Sequence, residues 1–213
     1  MSDPALQLTR ETLQEGTRAL RQRDRRLRVW IDRVDRGDGV SLRRQRPYFV
    51  ALCRSIISQQ LASKAAATIY ARFRDLFPRG KNPDAATLLN LREPELRACG
   101  LSRQKTRYLR ALAEEFHDGK LGGVRFSRLS DEEVVQLLTE LPGIGVWTAE
   151  MFLIFALGRL DIFSVGDLAL RTGVQRVAGK VLTAAEIEKV ANGWSPYRSV
   201  ASLYLWKVAH WKE

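Results

Sequence analysis

Asp167 stands at the start of the predicted helix DLALRTGVQRV. A carboxylate can stabilise positive charge that develops on a reacting group, and it can activate a water molecule as a nucleophile. A carboxylate at this place can also accept a backbone N–H as the N-cap of the helix that follows. The spacing alone favours that structural role. Two other carboxylates compete for a catalytic role, Asp161 earlier in the same segment and Glu150 further upstream.

The motif LPGIG (residues 141–145) lies between two segments with helical periodicity, upstream of Asp167. Ser130 and Glu133 form a capping-box pattern at the start of the first segment, and Pro142 ends it. The second helix is predicted from about Val146 to Gly158. Its first amides and positive dipole end can bind a phosphate, because the glycines allow close approach of backbone. The pattern is equally typical of an ordinary helical hairpin.

The chain has 213 residues and a net charge of +11, which indicates a polyanionic partner. Nucleic acid is the first expectation and an acidic membrane surface the second. No apolar run approaches the ~20 residues of a membrane span, and the polar N-terminus is not a secretory signal. Cys53 and Cys99 are too few for a disulfide framework, which favours an intracellular location.

LPGIG is followed by Trp147-Thr148-Ala149, Asp167 comes downstream, and residues 54–73 read RSIISQQLASKAAATIYARF. Together these residues resemble the helix-hairpin-helix (HhH-GPD) DNA glycosylases, and among them the 3-methyladenine DNA glycosylase II branch. The resemblance covers residues 17–212. It implies a monofunctional enzyme that hydrolyses the N-glycosidic bond of alkylated bases, chiefly 3-methyladenine-type lesions, and leaves an abasic site for base excision repair.

The resemblance also assigns roles to individual residues. Asp167 falls where the family has its catalytic aspartate, while Asp161 matches an acidic position interpreted as structural. Trp147 and Trp206 match aromatic positions of the base pocket, where they can hold a cationic alkylated purine by stacking and cation–π attraction. Core packing is the alternative for both tryptophans. Met151 and Leu168 stand where some members have tyrosines, which puts the substrate range in doubt.

The expected DNA-binding surface has three parts, the first two supported by the resemblance and the third by basic residues at a helix start. Its ten residues are Gly143, Ile144, Gly145 and Thr148 in the hairpin, Gln59, Gln60 and Leu61 in a loop, and Ser102, Arg103 and Lys105 at the helix start. In the family the loop inserts a side chain into the gap left by the flipped nucleotide. Gln60 aligns with this wedge and Leu61 competes with it. Gln59 and Gln60 can alternatively satisfy backbone groups at a helix end. The third part is a secondary candidate for phosphate contact.

Trp147 also bears on the reaction. Family members that cut the DNA strand have a lysine here, which forms a Schiff base with the sugar, so simple hydrolysis without lyase activity is expected. No cysteine follows Cys99, so the iron–sulfur cluster of related endonucleases is not expected. The resemblance implies no other cofactor, apart from a monovalent cation held by main-chain carbonyls between Leu141 and Ile144.

The fold class is expected to be all-α, with two helical subdomains that flank a DNA-binding cleft. One comprises residues 1–45 and 159–213, and the other comprises residues 46–158, including the hairpin 130–158. The N-terminal β-sheet domain of larger relatives is not expected. One helix is predicted over Thr17–Arg36, after residues 1–16 with little pattern. Further helix starts are predicted at Asn82-Pro83, Ser102, Thr183 with Glu186, and Ser195-Pro196.

The expected partner is double-stranded DNA with alkylated bases, and the protein is expected to be a monomer without membrane association. It would be cytoplasmic and nucleoid-associated in a bacterium, or nuclear in a eukaryote. Two other functions stay open. One is a non-catalytic helix-hairpin-helix module that binds DNA, because LPGIG alone does not discriminate. The other is a glycosylase for oxidised or deaminated bases.

Overall fold

The computed structural model describes residues 7–42, 44–119 and 121–212, with the side chains of all of these except Ser63. In these ranges the chain forms α-helices, one short 3-10 helix, one π-helix and a single isolated bridge between Gln7 and Arg159. The all-α prediction is therefore confirmed. No helix in the same ranges combines the length and the apolar composition that a membrane span requires.

The chain divides into two compact units. The terminal unit consists of Met1–Arg44 and Leu153–Glu213, and the central unit consists of Gln45–Phe152. The second boundary lies at Phe152, earlier than the position after residue 158 expected from the sequence. At this point the α-helix Val146–Phe152 gives way to the π-helix Leu153–Leu157. Gly158, in the left-handed region with φ +70°, follows the π-helix.

The central unit contains seven of the described α-helices: α3 (Tyr48–Ser58), α4 (Ser63–Arg74), α5 (Ala85–Asn90), α6 (Glu93–Ala98), α7 (Arg103–His117), α8 (Asp131–Thr139) and α9 (Val146–Phe152). Helix α3 packs against α4, α7 and α9 and is buried along most of its length. The rings of Tyr48, Phe126 and Phe152 meet edge to face, with centroids 5.2–5.5 Å apart. Burial raises the pKa of the Cys53 thiol on α3.

The terminal unit contains five of the described α-helices: α1 (Arg10–Arg23), α2 (Arg25–Arg36), α10 (Leu168–Ala178), α11 (Ala184–Asn192) and α12 (Arg198–Ala209). Helices α10 and α12 pack closely at Gly173, where a Cβ would lie 2.6 Å from the Leu205 carbonyl oxygen. The buried Tyr204 hydroxyl lies 3.2 Å from Thr17 Oγ1 and donates to the Asp35 carboxylate. Burial raises the pKa of Tyr204 to about 12.

The single helix predicted over Thr17–Arg36 is wrong, because two helices occupy this region. Helix α1 starts at Arg10, within the segment expected to have little pattern, of which residues 1–6 lie outside the described ranges. Thr9 and Thr12 cap it reciprocally, each side-chain oxygen accepting the other residue's N–H. Asp24 then separates the helices, because its carboxylate accepts the N–H groups of Arg26 and Leu27 at 2.9 Å.

Some of the other predicted helix starts are confirmed, and others are wrong. Ser102 and Thr183 are N-caps as predicted. The N-cap of α5 is Asp84 rather than Asn82, since the Asp84 carboxylate accepts the Thr87 N–H at 2.9 Å. Helix α12 has Tyr197 at its N-cap position, without a side-chain cap. Ser195 instead donates its hydroxyl to Asp161 at 2.7 Å.

Candidate functional site

The hairpin of the central unit is formed by α8, the turn at residues 140–145 and α9. Ser130 caps α8, and its N–H donates to the Glu133 carboxylate at 2.7 Å, so the predicted capping box is present. Helix α8 ends with Glu140 as its C-cap, and α9 starts at Val146 as predicted. In the turn, Leu141 and Ile144 are buried, and the Ile144 N–H donates to the Leu141 carbonyl at 3.1 Å. These two apolar side chains anchor the turn, while Gly145 is exposed and Gly143 is half-buried.

The two glycines of the turn have different requirements. Gly143 has φ +85°, a left-handed conformation, and a Cβ on it would lie 2.1 Å from the Tyr108 ring. A side chain at this position is excluded both by the backbone and by Tyr108. Gly145 has neither constraint, because a Cβ there would meet nothing within 4 Å. Open space around Gly145 leaves room for another molecule to approach the backbone.

The loop between α3 and α4 carries the predicted wedge. Gln60 has φ +55°, and no other non-glycine residue in the described ranges has a positive φ. Gln60 is exposed, and Leu61 beside it is 37% exposed. Both side chains are therefore accessible, and the choice between them as wedge stays a prediction. Gln59 has a different place, since its side-chain amide donates to the Gly143 carbonyl at 2.8 Å.

The start of α7 was expected to contact phosphate through three residues. Ser102 is the N-cap of α7, and its hydroxyl accepts the Lys105 N–H at 3.2 Å. Arg103 is exposed. The Lys105 ammonium donates to the carbonyls of Ile57 and Gln59, both at 2.7 Å. Partial burial lowers its pKa. Lys105 therefore binds the end of α3, which its sequence position gave no means of predicting.

In the terminal unit Asp167 occupies the N-cap position of α10. One carboxylate oxygen accepts the Leu170 N–H at 2.8 Å, as the spacing predicted, and the residue is only 7% exposed. Leu168, the next residue, is 76% exposed. A nearly buried carboxylate fixed by a backbone amide is a suitable electrostatic partner for a positive charge that develops beside it.

Asp161 lies in a different environment in the same unit. It accepts hydrogen bonds from the Arg198 side chain at 2.8 and 3.1 Å and from the Ser195 hydroxyl at 2.7 Å. Burial raises the pKa of Asp161, but the hydrogen bonds from Arg198 and Ser195 outweigh it and hold the pKa below its ordinary value. Asp161 thus ties the start of α12 to the preceding loop. Glu150, the third carboxylate, is half-buried on α9 of the central unit.

The predicted pocket aromatics belong to different units. Trp147 lies in the first turn of α9 and is 45% exposed, while Thr148 beside it is buried and Met151 is half-buried. The Thr148 side chain is thus not at the surface, and the DNA contact of this residue stays a prediction. Trp206 on α12 is half-buried and stacks on Phe155, with ring centroids 5.5 Å apart and planes 29° apart.

Phe155 was missed by the sequence analysis. It lies in the π-helix, and the apolar run around it predicts an ordinary α-helix. Insertions of this kind cannot be read from residue types, although they are frequent at functional sites. The only available signal was an aromatic residue in a segment that already held Trp147.

The turn also offers carbonyl oxygens to a cation. The Leu141 carbonyl uses one lone pair for the Ile144 N–H, and a carbonyl oxygen has two. Neutral oxygens are suitable ligands for hard cations such as Na⁺ and K⁺. The Leu141 carbonyl therefore keeps a lone pair for a cation, and the cation site between Leu141 and Ile144 stays a prediction from the resemblance.

Comparison with known proteins identifies the family. Residues 53–196 match the family model described as HhH-GPD superfamily base excision DNA repair protein. DNA-3-methyladenine glycosylase 1 of Schizosaccharomyces pombe is 36% identical over 79% of this chain and 75% of its own length. A structure of the 3-methyladenine DNA glycosylase of that yeast in complex with abasic DNA superposes with a TM-score of 0.78, at 32% identity, and covers 91% of this chain and 95% of the other.

A second solved structure, the DNA-3-methyladenine glycosidase of Bacillus halodurans, is similar to the same extent. Its TM-score is also 0.78, at 34% identity, with 92% of this chain and 89% of the other covered. The family match extends from α3 to the loop before α12 and so includes the hairpin and Asp167. The chain therefore belongs to the HhH-GPD superfamily of base excision DNA repair proteins.

Proposed function

We propose that the protein is a monofunctional DNA glycosylase that hydrolyses the N-glycosidic bond of alkylated bases in double-stranded DNA. Lesions of the 3-methyladenine type are its main substrates, and the abasic site it leaves enters base excision repair. The observation that carries the proposal is the nearly buried Asp167 carboxylate at the start of α10, in a chain 36% identical to a relative named DNA-3-methyladenine glycosylase 1.

The reaction requires the damaged nucleotide to leave the base stack, because the enzyme cannot reach the glycosidic bond inside a duplex. As the bond breaks, positive charge develops on the deoxyribose. Asp167 stabilises this charge and activates the attacking water. The Leu170 N–H keeps one carboxylate oxygen in place, and burial protects the interaction from screening by solvent.

We assign contacts with the base to Trp147 and Met151 in the central unit and to Trp206 and Leu168 in the terminal unit. An alkylated purine carries a positive charge, so an aromatic face attracts it by about 0.5–2 kcal/mol per good contact. The exposed ring of Trp147 supports this role, because core packing does not account for a tryptophan that is 45% exposed. Departure of such a base removes its charge, and no strong general acid is needed.

The DNA duplex is held by the hairpin turn and by the loop between α3 and α4. Open space at Gly145 and buried anchors at Leu141 and Ile144 support a turn that presents backbone to a phosphate. A monovalent cation held by the carbonyls of Leu141 and Ile144 would offset the phosphate charge. Gln60 or Leu61 enters the gap left by the flipped nucleotide. The protein acts as a monomer in the compartment that contains the DNA.

The test is incubation with methylated duplex DNA, with base release and strand cleavage measured separately. The expected result is free methylated base without nicking, because Trp147 has no amine to form a Schiff base. Binding to the duplex should weaken steeply as salt rises. Binding without base release would identify a non-catalytic DNA-binding module. Release of oxidised or deaminated bases alone would change the substrate class, and nicking before alkali treatment would refute the monofunctional mechanism.

A further inference from the structure

The end of α3 leaves several carbonyl groups without partners inside the helix, as every helix C-terminus does. The Ser55 carbonyl accepts the Ser58 hydroxyl at 3.0 Å, and the Ser58 carbonyl accepts the Leu61 N–H at 3.2 Å. The carbonyls of Ile57 and Gln59 both accept the ammonium of Lys105, each at 2.7 Å. A lysine at this position also complements the negative end of the helix dipole. Lys105 therefore fixes the point at which the chain leaves α3.

The residue held by Lys105 is itself attached to the hairpin. The backbone carbonyl of Gln59 accepts Lys105, and the side-chain amide of Gln59 donates to the Gly143 carbonyl at 2.8 Å. Gln59 thus joins the loop between α3 and α4 to the hairpin turn. A carbonyl oxygen can only accept, so the donating nitrogen of the Gln59 amide must face it.

Helix α7 contacts the turn a second time. Tyr108 lies one helical turn after Lys105, and its ring occupies the place where a side chain on residue 143 would be. Lys105, Gln59, Tyr108 and Gly143 therefore form a connected set of contacts, which we call the α7 junction. It joins the α3–α4 loop and the hairpin turn to a single helix within the central unit.

We propose that Lys105 is a positioning residue, which acts on DNA through the α7 junction and not by direct contact with a phosphate. The inference depends on the proposed function, because it concerns how the wedge and the turn are presented to the duplex. With Lys105 in place, the loop that carries Gln60 and Leu61 and the turn that presents Gly143 form one preorganised surface. Without it, both segments still exist, but the loop can move relative to the turn.

Two measurements separate a positioning lysine from a phosphate-binding one. A lysine that binds a phosphate displaces counterions from the DNA. Its removal therefore reduces the magnitude of the slope of log affinity against log salt concentration, here called the salt slope, by about one for any duplex. A positioning lysine leaves this slope unchanged. Its removal instead slows base release most where flipping is hardest, because the wedge is needed most when the damaged base is still paired.

The first variant is Lys105→Met, which keeps an unbranched side chain that ends one atom earlier and removes the charge. The DNA carries one methylated purine, either opposite its normal partner or opposite an abasic-site analogue, and single-turnover rates are measured for both. We expect release from the paired lesion to slow by about 10–100-fold, as misplacement of a positioning group does. Release opposite the abasic analogue should slow several times less, and the salt slope on undamaged duplex should stay at the wild-type value.

Gln59→Met tests the same junction without any change in charge, and it applies even if the lysine variant does not fold. This variant should also slow base release more from the paired lesion than from the lesion opposite the abasic analogue. Arg103→Gln, at the exposed start of α7, is the comparison variant. If Arg103 contacts a phosphate directly, its removal should reduce the magnitude of the salt slope. Thermal unfolding of each variant shows whether a loss of rate follows from loss of fold.

The inference is overturned if Lys105→Met lowers the salt slope by about one and slows both lesion contexts equally, because that is the behaviour of a phosphate ligand. It is also overturned if folded Lys105→Met or Gln59→Met releases base from the paired lesion at the wild-type rate. Failure of the proposed function has a different signature, since the wild-type protein itself would then release no methylated base.

Discussion

The hairpin turn and the start of α10 present different kinds of group. At the turn, the side chains of Leu141 and Ile144 are buried, and the exposed part includes Pro142 and the backbone of Gly145. At the start of α10, the proposed functional group is the Asp167 side chain, and a backbone amide three residues later donates to one of its oxygens. The turn is contacted by Gln59 and Tyr108 from distant parts of the chain, whereas this hydrogen bond of Asp167 lies within its own helix. Substitutions should therefore affect catalysis sharply at α10 and binding diffusely at the turn.

The largest effect is expected at Asp167. Asp167→Asn keeps the size of the side chain and an oxygen for the Leu170 N–H, but it removes the charge that stabilises the sugar in the proposed mechanism. Base release from methylated duplex DNA should fall by about 10²–10⁴-fold, the range that an acid–base group contributes. Affinity for the duplex, measured by fluorescence anisotropy, should stay near the wild-type value. Wild-type release by this variant would remove Asp167 from the site and would cancel the contrast between the two regions.

Substitution of the glycines in the turn should have the next largest effect, and the Gly145 variant serves as the control for the Gly143 variant. Gly143→Ala places a Cβ against the Tyr108 ring and strains a left-handed backbone, at a cost in stability of about 1–3 kcal/mol. Because the turn must shift, affinity should fall for every duplex, damaged or not. Thermal unfolding and anisotropy measure the two losses.

Gly145→Ala meets nothing within 4 Å and should unfold at the wild-type temperature. If this variant nevertheless binds DNA less tightly, the missing Cβ at residue 145 serves the approach of a phosphate and not the fold. Equal affinity of wild type and both alanine variants would mean that the turn is a structural hairpin alone.

The difference between local and distributed contacts also explains what the sequence could predict. The capping boxes at Ser130 and Thr183 and the N-cap at Asp167 were correct, because each depends on residues three positions apart. The start of helix α1 was missed, since a Thr–Thr cap at residues 9 and 12 lacks the acidic partner of the usual pattern.

The contacts of Lys105 and Phe155 could not have been predicted in this way. Lys105 binds carbonyls that lie 46 and 48 positions earlier, and a carbonyl has no residue type to read. The stacking of Phe155 on Trp206 depends on the π-helix and on the packing of distant segments. Local pattern thus predicted the helix starts that follow Ser102, Ser130, Asp167 and Thr183. It did not predict which side chains hold the turn.

A moderate effect is expected at Trp147, the side chain that stands in the first turn after the glycines. Trp147→Ala removes a ring that is 45% exposed, so the protein should stay folded. Loss of one cation–π contact of about 0.5–2 kcal/mol corresponds to a decrease of about 2–30-fold in base release. A cationic methylated purine should lose more than a neutral damaged base, which single-turnover release of both would show. An equal loss for both bases would indicate a steric role for the ring.

The smallest effect on catalysis is expected at Asp161, although its carboxylate accepts hydrogen bonds from both Arg198 and Ser195. Asp161→Asn weakens the interaction with Arg198 and Ser195, so the protein should lose stability by about 1–3 kcal/mol while each folded molecule keeps its rate of base release. Heat denaturation and the release assay measure the two quantities on the same sample. A variant that stayed stable but lost release as Asp167→Asn does would reverse the roles of the two aspartates.

Acid titration separates the roles further. The pKa of Asp161 in the folded protein lies below its ordinary value, so the carboxylate stabilises the fold above the unfolded-state pKa of about 3.9. That contribution is lost as the pH falls through the folded-state value. The difference in melting temperature between wild type and Asp161→Asn should therefore be largest near neutral pH and should shrink below about pH 4. A difference that stayed constant down to pH 3 would mean that Asp161 stabilises the start of α12 by its shape and not by its charge.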